Sequence, residues 1–392
     1  MAASPDGAPR ILPRRGPRAT APLREASMRI RPLPAALAGT LLLVALTGTG
    51  PTAPADAAAP AAAATTTSAA LTSGSSATGA GATARVASVD ALRTAIAKHV
   101  HHIVITTSLY GGPSPVFVDV LDAASSGTLI EGATPTVELV NIQLRIYDHT
   151  YAGALHDVTV RDLTLHGRLS DLVALSGAAT RPHGAGVNYE AISVRGAAHV
   201  TIDRIVAYDT TDDLMSVTRG ADDVTISNST FSYSRAYADI DPSIRWDWGF
   251  GLQPLASERL GILVGANAQD SYATTGHLHV NLVGDHIGPL MRGRPLLRGD
   301  VDVKGVVFDN TQAGSGQYAA LEVGSGGRVI VEGCRFDHSN NPIAIHLDSP
   351  GDTYALFEGG NTFMQTTGTV APGKPLPPRA SRATSARGVV RT

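Results

Sequence analysis

Six segments of this 392-residue chain repeat one short theme, and that repetition constrains the fold more than any other feature. They start at Asp157, His199, Asp223, His277, Asp300 and Arg328, and each carries a short run of alternating apolar residues, a polar or small break, and another apolar pair. The starts are 42, 24, 54, 23 and 28 residues apart, so three spacings share one narrow band while 42 and 54 are near doubles carrying insertions. Short runs rich in β-branched side chains, with turn-rich breaks and no helical periodicity between them, predict stacked coils, each burying one face against its neighbours. One helix is predicted ahead of the first coil. Ser88 is placed to cap it, and Val89, Leu92, Ile96 and Val100 fall on one stripe. Such a helix would cover an apolar end that a repeat protein cannot leave naked. Cys334 occupies the repeat position held by Leu163, Ile205 and Val306, and reads as a small buried hydrophobe.

A single cysteine excludes a disulfide scaffold and a Cys-ligated zinc module. The charges are segregated: residues 1–57 hold seven arginines and three acids, and residues 371–392 hold five bases and no acid. That leaves 19 bases against 31 acids in 58–370, a net charge of -12, which argues against a nucleic-acid binder needing a basic stripe. Met28 opens a basic segment followed by an apolar run over 35–46 and a small-residue site at Ala55 and Ala57, the pattern of a secretory signal. The run is too short for a membrane span, which takes about 20 apolar residues. The expectation is a secreted, extracellular, monomeric protein with no membrane span: a signal region over 1–57 with its start at Met28, an Ala/Thr/Ser spacer over 58–84, one folded domain over 85–370, and a basic tail over 371–392. Spacer and tail are expected to be disordered, because neither offers enough apolar surface to offset its ordering entropy.

Within the repeats, residues 189–231 contain Glu190-Ala-Ile, Thr201-Ile-Asp203-Arg204, Asp212-Asp-Leu-Met-Ser216-Val and Gly220-Ala-Asp-Asp-Val-Thr-Ile-Ser227. In this order and spacing the segment resembles the central coils of the polysaccharide lyase family 1 pectate and pectin lyases. The family shows acid-x-Asp-Ala-Ile, Trp-Ile-Asp-His, Asp-Gly-Leu-Ile-Asp-Val and Gly-Ser-Asp-x-Val-Thr-Ile-Ser there. The likeness continues through 260–271 and 276–303 and covers roughly 85–340. It implies an all-β fold, a single right-handed parallel β-helix with a short N-terminal capping helix. It also implies β-elimination of polyuronate chains, with an acidic plant cell-wall polysaccharide such as polygalacturonate as partner. In that family calcium held by carboxylates neutralises the uronate and stabilises the enolate-like intermediate, and an arginine takes the C5 proton.

Carried over by the resemblance, the calcium positions fall on Asn188 and Glu190 and on Asp212 and Ser216: two carboxylates, one amide and one hydroxyl where the pattern has four carboxylates. Calcium there and simple loop acids have equal weight. The catalytic arginine of Arg-x-Pro-x-x-Arg falls on Gly293, flanked by Arg292 and Arg294, while the second arginine is intact as Arg298 and is expected to hold a substrate carboxylate. Strand side chains alternate, so Arg292 or Arg294 can serve as base only if a bulge or break redirects one of them. Arg259 stands beside a second basic position of the family, at Leu260. In the insertion over 235–259, Trp246 and Trp248 are the only tryptophans, and either stack on sugar or close over the flank. Asp203 either supports the acid cluster or is an exposed strand acid. His99, His101 and His102 read as dispersed rather than as a metal site, and Asn228 as a strand turn rather than a glycosylation site. Two other functions compete with the pectate lyase reading: a calcium-independent pectin-lyase-like enzyme for esterified chains, and a non-catalytic glycan-binding β-helix.

Overall fold

The computed structural model describes residues 83–179, 188–247, 252–312 and 318–368, together with 370, 371, 373 and 376. The expectations for the signal region, most of the spacer and most of the tail lie outside the described residues.

All six repeats become neighbouring coils of one parallel sheet. Thr201 faces Thr159 on one side and Thr225 on the other, Val224 faces Val280, Val280 faces Val301, and Val301 faces Val329. A seventh coil follows, with Ala355–Gly359 and Thr362–Met364 pairing onto Arg328–Glu332 and Arg335–Asp337. The polar or small break of each repeat has a backbone cause. Asp162, Arg204, Asn228, Gly284, Gly305, Gly333 and Gly360 are equivalent in register, and all sit in the left-handed region with φ between 52° and 66°. Glycine and, less easily, Asn and Asp adopt that conformation, so the corner selects the residues that made the repeats legible. Asn228 is such a corner, its amide donating to Asp203 Oδ1 at 2.9 Å.

The other wall is an eight-stranded parallel sheet in the order Ile343–His346, Leu321–Gly324, Leu296–Leu297, Ile262–Val264, Met215–Thr218, Ile192–Arg195, Ile142–Tyr147 and Val116–Val120. The fold is a right-handed parallel β-helix. Its inward side chains form ladders: Val160, Ile202, Ile226, Leu282, Val303 and Val331 are all buried, and the rings of Phe308, Phe336 and Phe363 stack at 4.6 and 5.2 Å. Cys334 joins this core as expected.

The helix Val89–Ala97 forms where predicted. The Ser88 side chain accepts from the Ala91 amide at 3.1 Å, satisfying an orphan donor of the first turn. Leu92 and Ile96 are buried against the first coils, while Val89 and Val100 are half-buried beside them. Among the described residues no helix is long and apolar enough to cross a membrane.

Candidate active site

The turns that lead into consecutive strands of the eight-stranded sheet stack on one another. The Thr211 and Asp212 amides donate to Tyr189 O at 3.1 and 3.2 Å, Leu214 N donates to Leu260 O at 3.0 Å, and Leu260 bridges to Gly293. Tyr233 ties two of these turns together, its hydroxyl lying 3.2 Å from Asp212 O, Leu260 O and Leu260 N. Residues more than a hundred positions apart in sequence are thereby brought to one face: Glu190, Asp212, Asp213 and Glu258 with Arg195, Arg292 and Arg294.

Four carboxylates that feel one another's charge cannot all ionise freely. Glu190 is buried and accepts from Ser216 Oγ at 2.5 Å; burial, reinforced by the Asp212 charge and opposed by Ser216 and Arg195, pushes it up to about 7. Burial raises Asp212, with Arg294 and Arg195 pulling the other way. Asp213 is pushed well up by burial and ion-pairs with Arg294 Nε at 2.7 Å. Half-buried Glu258 is also raised, by burial and by Asp212. The Gln143 amide, Ser193 and Tyr147 form a chain behind Glu190, with 2.8 Å between Gln143 Nε2 and Ser193 Oγ and 3.0 Å between Ser193 Oγ and Tyr147 Oη.

The two candidate arginines meet this cluster differently: Arg294 ion-pairs with one of its acids, while Arg292 acts on Glu258 from the edge. Arg294 sits at φ 67°, a left-handed turn that breaks strand alternation ahead of Leu296–Leu297, and its guanidinium lies on Asp213 within the field of Asp212. Arg292 instead donates to Tyr318 Oη at 2.9 Å and lies over the Tyr318 ring. Gly293, between them, faces the Tyr318 ring edge.

Several expectations are corrected by burial. Arg298 is only 5% exposed and is occupied within the protein, donating to Gly265 O at 3.0 Å and to Asp348 Oδ1 at 2.6 Å, so it does not offer its guanidinium to a substrate. Trp246 is fully buried in the apolar core, because its hairpin folds it inward; it is not a sugar-stacking surface. Trp248 lies outside the described residues. Arg259 is half-buried and spends its donors on Leu290 O and Ala256 O at 2.6 and 2.5 Å, a strut between turns. Asp203 belongs to the other sheet, held by Ser227, Asn228 and Arg204, and does not support the acid cluster. His99 and His102 are dispersed, to Ser125 and to Glu131.

A calcium ion needs several oxygen ligands at once. Among the described residues no three His, Cys, Asp or Glu side chains form a group that could hold a metal ion. The donors present do not fit calcium by themselves: Ser216 is committed to Glu190, Asp213 to Arg294, and Asn188 is exposed at the edge of its segment. Sequence reasoning took Asp213 for a simple loop acid beside Asp212 and overlooked Glu258 and Arg195. Arg195 shares the strand face of Ser193, two residues on, and its place on the strand that follows Glu190 was the available signal.

No family model matches the chain, and no curated protein matches it. Solved structures do. A pectate lyase bound to a hexasaccharide superposes with a TM-score of 0.51 at 14% identity, covering 74% of this chain and 83% of that one. A thermostable pectate lyase gives 0.51 at 14% identity, with 72% and 79% covered. A variant pectate lyase from Xanthomonas campestris gives 0.50 at 14% identity, with 75% and 82% covered. At this identity the likeness establishes a common fold.

Proposed function

We propose that this protein is a secreted polysaccharide lyase that cleaves polygalacturonate by β-elimination. One observation carries the reading: an acid pair, Glu190 and Asp212, and the guanidinium of Arg294 meet on consecutive turns of the β-helix. The solved pectate lyases of the same fold, one of them bound to a hexasaccharide, add support.

β-Elimination removes the C5 proton of a uronate, forms the C4–C5 double bond and expels the glycosidic oxygen from C4. A base matched to neutral pH is needed. A guanidinium is normally protonated and accepts no proton, whereas Glu190 at about 7 belongs to a coupled pair that takes up or gives a proton near neutrality. In this reading the Glu190–Asp212 pair accepts the C5 proton. Arg294 neutralises the uronate carboxylate and the charge that develops on it, and Arg292 borders the site. Calcium, which the family resemblance implied, supplies no step; the Arg294 guanidinium provides the positive charge.

The test is the ultraviolet absorbance of unsaturated product released from polygalacturonate, with and without millimolar calcium. Activity is expected without added calcium, and Arg294→Ala is expected to lower kcat at least a hundredfold. A strict calcium requirement would restore Asn188, Glu190, Asp212 and Ser216 as a metal site. No product under either condition would leave a non-catalytic glycan-binding β-helix, a reading favoured by the commitment of Arg294 to Asp213.

A further inference from the structure

Most arginines on this acidic body face an acid at close range. Arg145 grips Asp119 at 2.5 and 2.6 Å, Arg161 holds Glu131 at 2.6 Å, Arg204 pairs with Asp162 at 2.7 Å and Arg328 with Asp300 at 2.8 Å. Arg195 and Arg219 differ. Among the described residues neither guanidinium has a carboxylate within ion-pair distance, and Arg195 Nε is buried with no hydrogen-bond partner. Both are instead laid on aromatic rings, Arg195 4.7 Å from the Tyr147 centroid and Arg219 6.0 Å from that of Tyr151. Together with His149 these four side chains line a hollow of about 180 Å³.

The hollow is shaped before any ligand arrives. Asp148 folds the loop that carries Tyr151, accepting from Thr150 N at 2.8 Å, Thr150 Oγ at 2.6 Å and Ala154 N at 2.6 Å. Both oxygens of that carboxylate are therefore spent inside the loop. Gly196, at φ 66°, lets the Tyr151 ring lie against the backbone, where a Cβ would come within 2.8 Å of the ring. Tyr151 remains 47% exposed, so its ring is available. The hollow adjoins the acid cluster, since Arg195 acts on both Glu190 and Asp212.

A guanidinium with no carboxylate at ion-pair distance can take one from a ligand, and an exposed ring recognises the CH face of a sugar. We propose that the Tyr147–Tyr151–Arg195–Arg219 hollow binds a uronate residue of the polysaccharide, one that is not cleaved, and so selects acidic over esterified chains. This deepens the lyase reading and rests on it for the identity of the sugar.

Binding and turnover are measured separately. Titrating the full chain with trigalacturonate and with its methyl ester by calorimetry, Arg219→Gln is expected to weaken trigalacturonate about tenfold and leave the ester unchanged. Arg195→Gln is expected to do the same, with melting curves confirming that both variants fold. Wild-type protein that fails to bind trigalacturonate, or variants that bind it as tightly as wild type, would overturn the subsite. Arginine-dependent binding in a protein that forms no unsaturated product would support the subsite and sink the lyase reading.

Discussion

At the scale of single residues, burial of acids decides most of the chemistry. Glu190, pushed up to about 7 by burial, predicts a rate that climbs as pH rises through about 7, because the acid pair works as a base only once ionised. Glu190→Gln is expected to abolish that limb along with most of the turnover. An unchanged pH–rate profile would remove the pair from the proton-accepting role. Asp285 makes the same physics visible without a function attached. Burial raises it from 3.8 to about 8, although Oδ1 accepts from Ser229 N at 2.9 Å. A carboxyl raised on folding favours the native state below its unfolded value, and this contribution is lost progressively as pH rises from 3.8 to about 8. Asp285→Asn should therefore gain melting temperature over wild type as pH increases across that window. Parallel Tm–pH curves for the two proteins would show that Asp285 titrates normally.

At the scale of the elements, the coil corner is the controlling unit. Seven consecutive coils turn on a left-handed residue, and four of those are glycines. Gly305 isolates the backbone term, because a Cβ added there meets nothing within 4 Å and the penalty comes from φ 63° alone. Gly305→Val is expected to destabilise by about 1–2 kcal/mol, and Gly305→Asn by less, since asparagine already holds the equivalent corner at Asn228. Equal losses in chemical denaturation for the two variants would place the cost in packing instead. The corner also explains why the repeats were recognisable: β-branched residues serve the flat runs, and Asp, Asn or Gly serves the bend.

Taken as a whole molecule, a stack of coils is stabilised between neighbours, so its ends are where it opens. Leu92, fully buried in the helix Val89–Ala97, seals the first coils. Leu92→Asp places a charge in that seal and is expected to raise amide exchange first in Thr83–Val86 and His102–Ile105, while the strand Arg328–Glu332, many coils away, stays protected. Uniform loss of protection along the chain would mean that the stack unfolds as one cooperative block.

The coil theme, its phase from Asp157 to Arg328, the capped helix at Ser88 and the burial of Cys334 were all determined by the sequence alone. Each depends on local rules, the alternation of strands, the left-handed corner and the helix cap, which act over a few residues and leave their mark in composition. The family likeness also located the site's turns, at Glu190, at Asp212 and between Arg292 and Arg294. Which charges meet there was decided by tertiary structure. Strand parity turned both Arg292 and Arg294 away from the groove, yet the left-handed backbone at Arg294 brings that side chain back onto Asp213. Arg298, read as a substrate contact, and Trp246, read as either a sugar contact or a flank closure, were taken into the interior by Asp348 and by the hairpin Arg245–Asp247 with Leu252–Pro254. Pairing of charges and burial of loop side chains depend on partners tens of residues distant, and only the stacking of the coils brings those partners together.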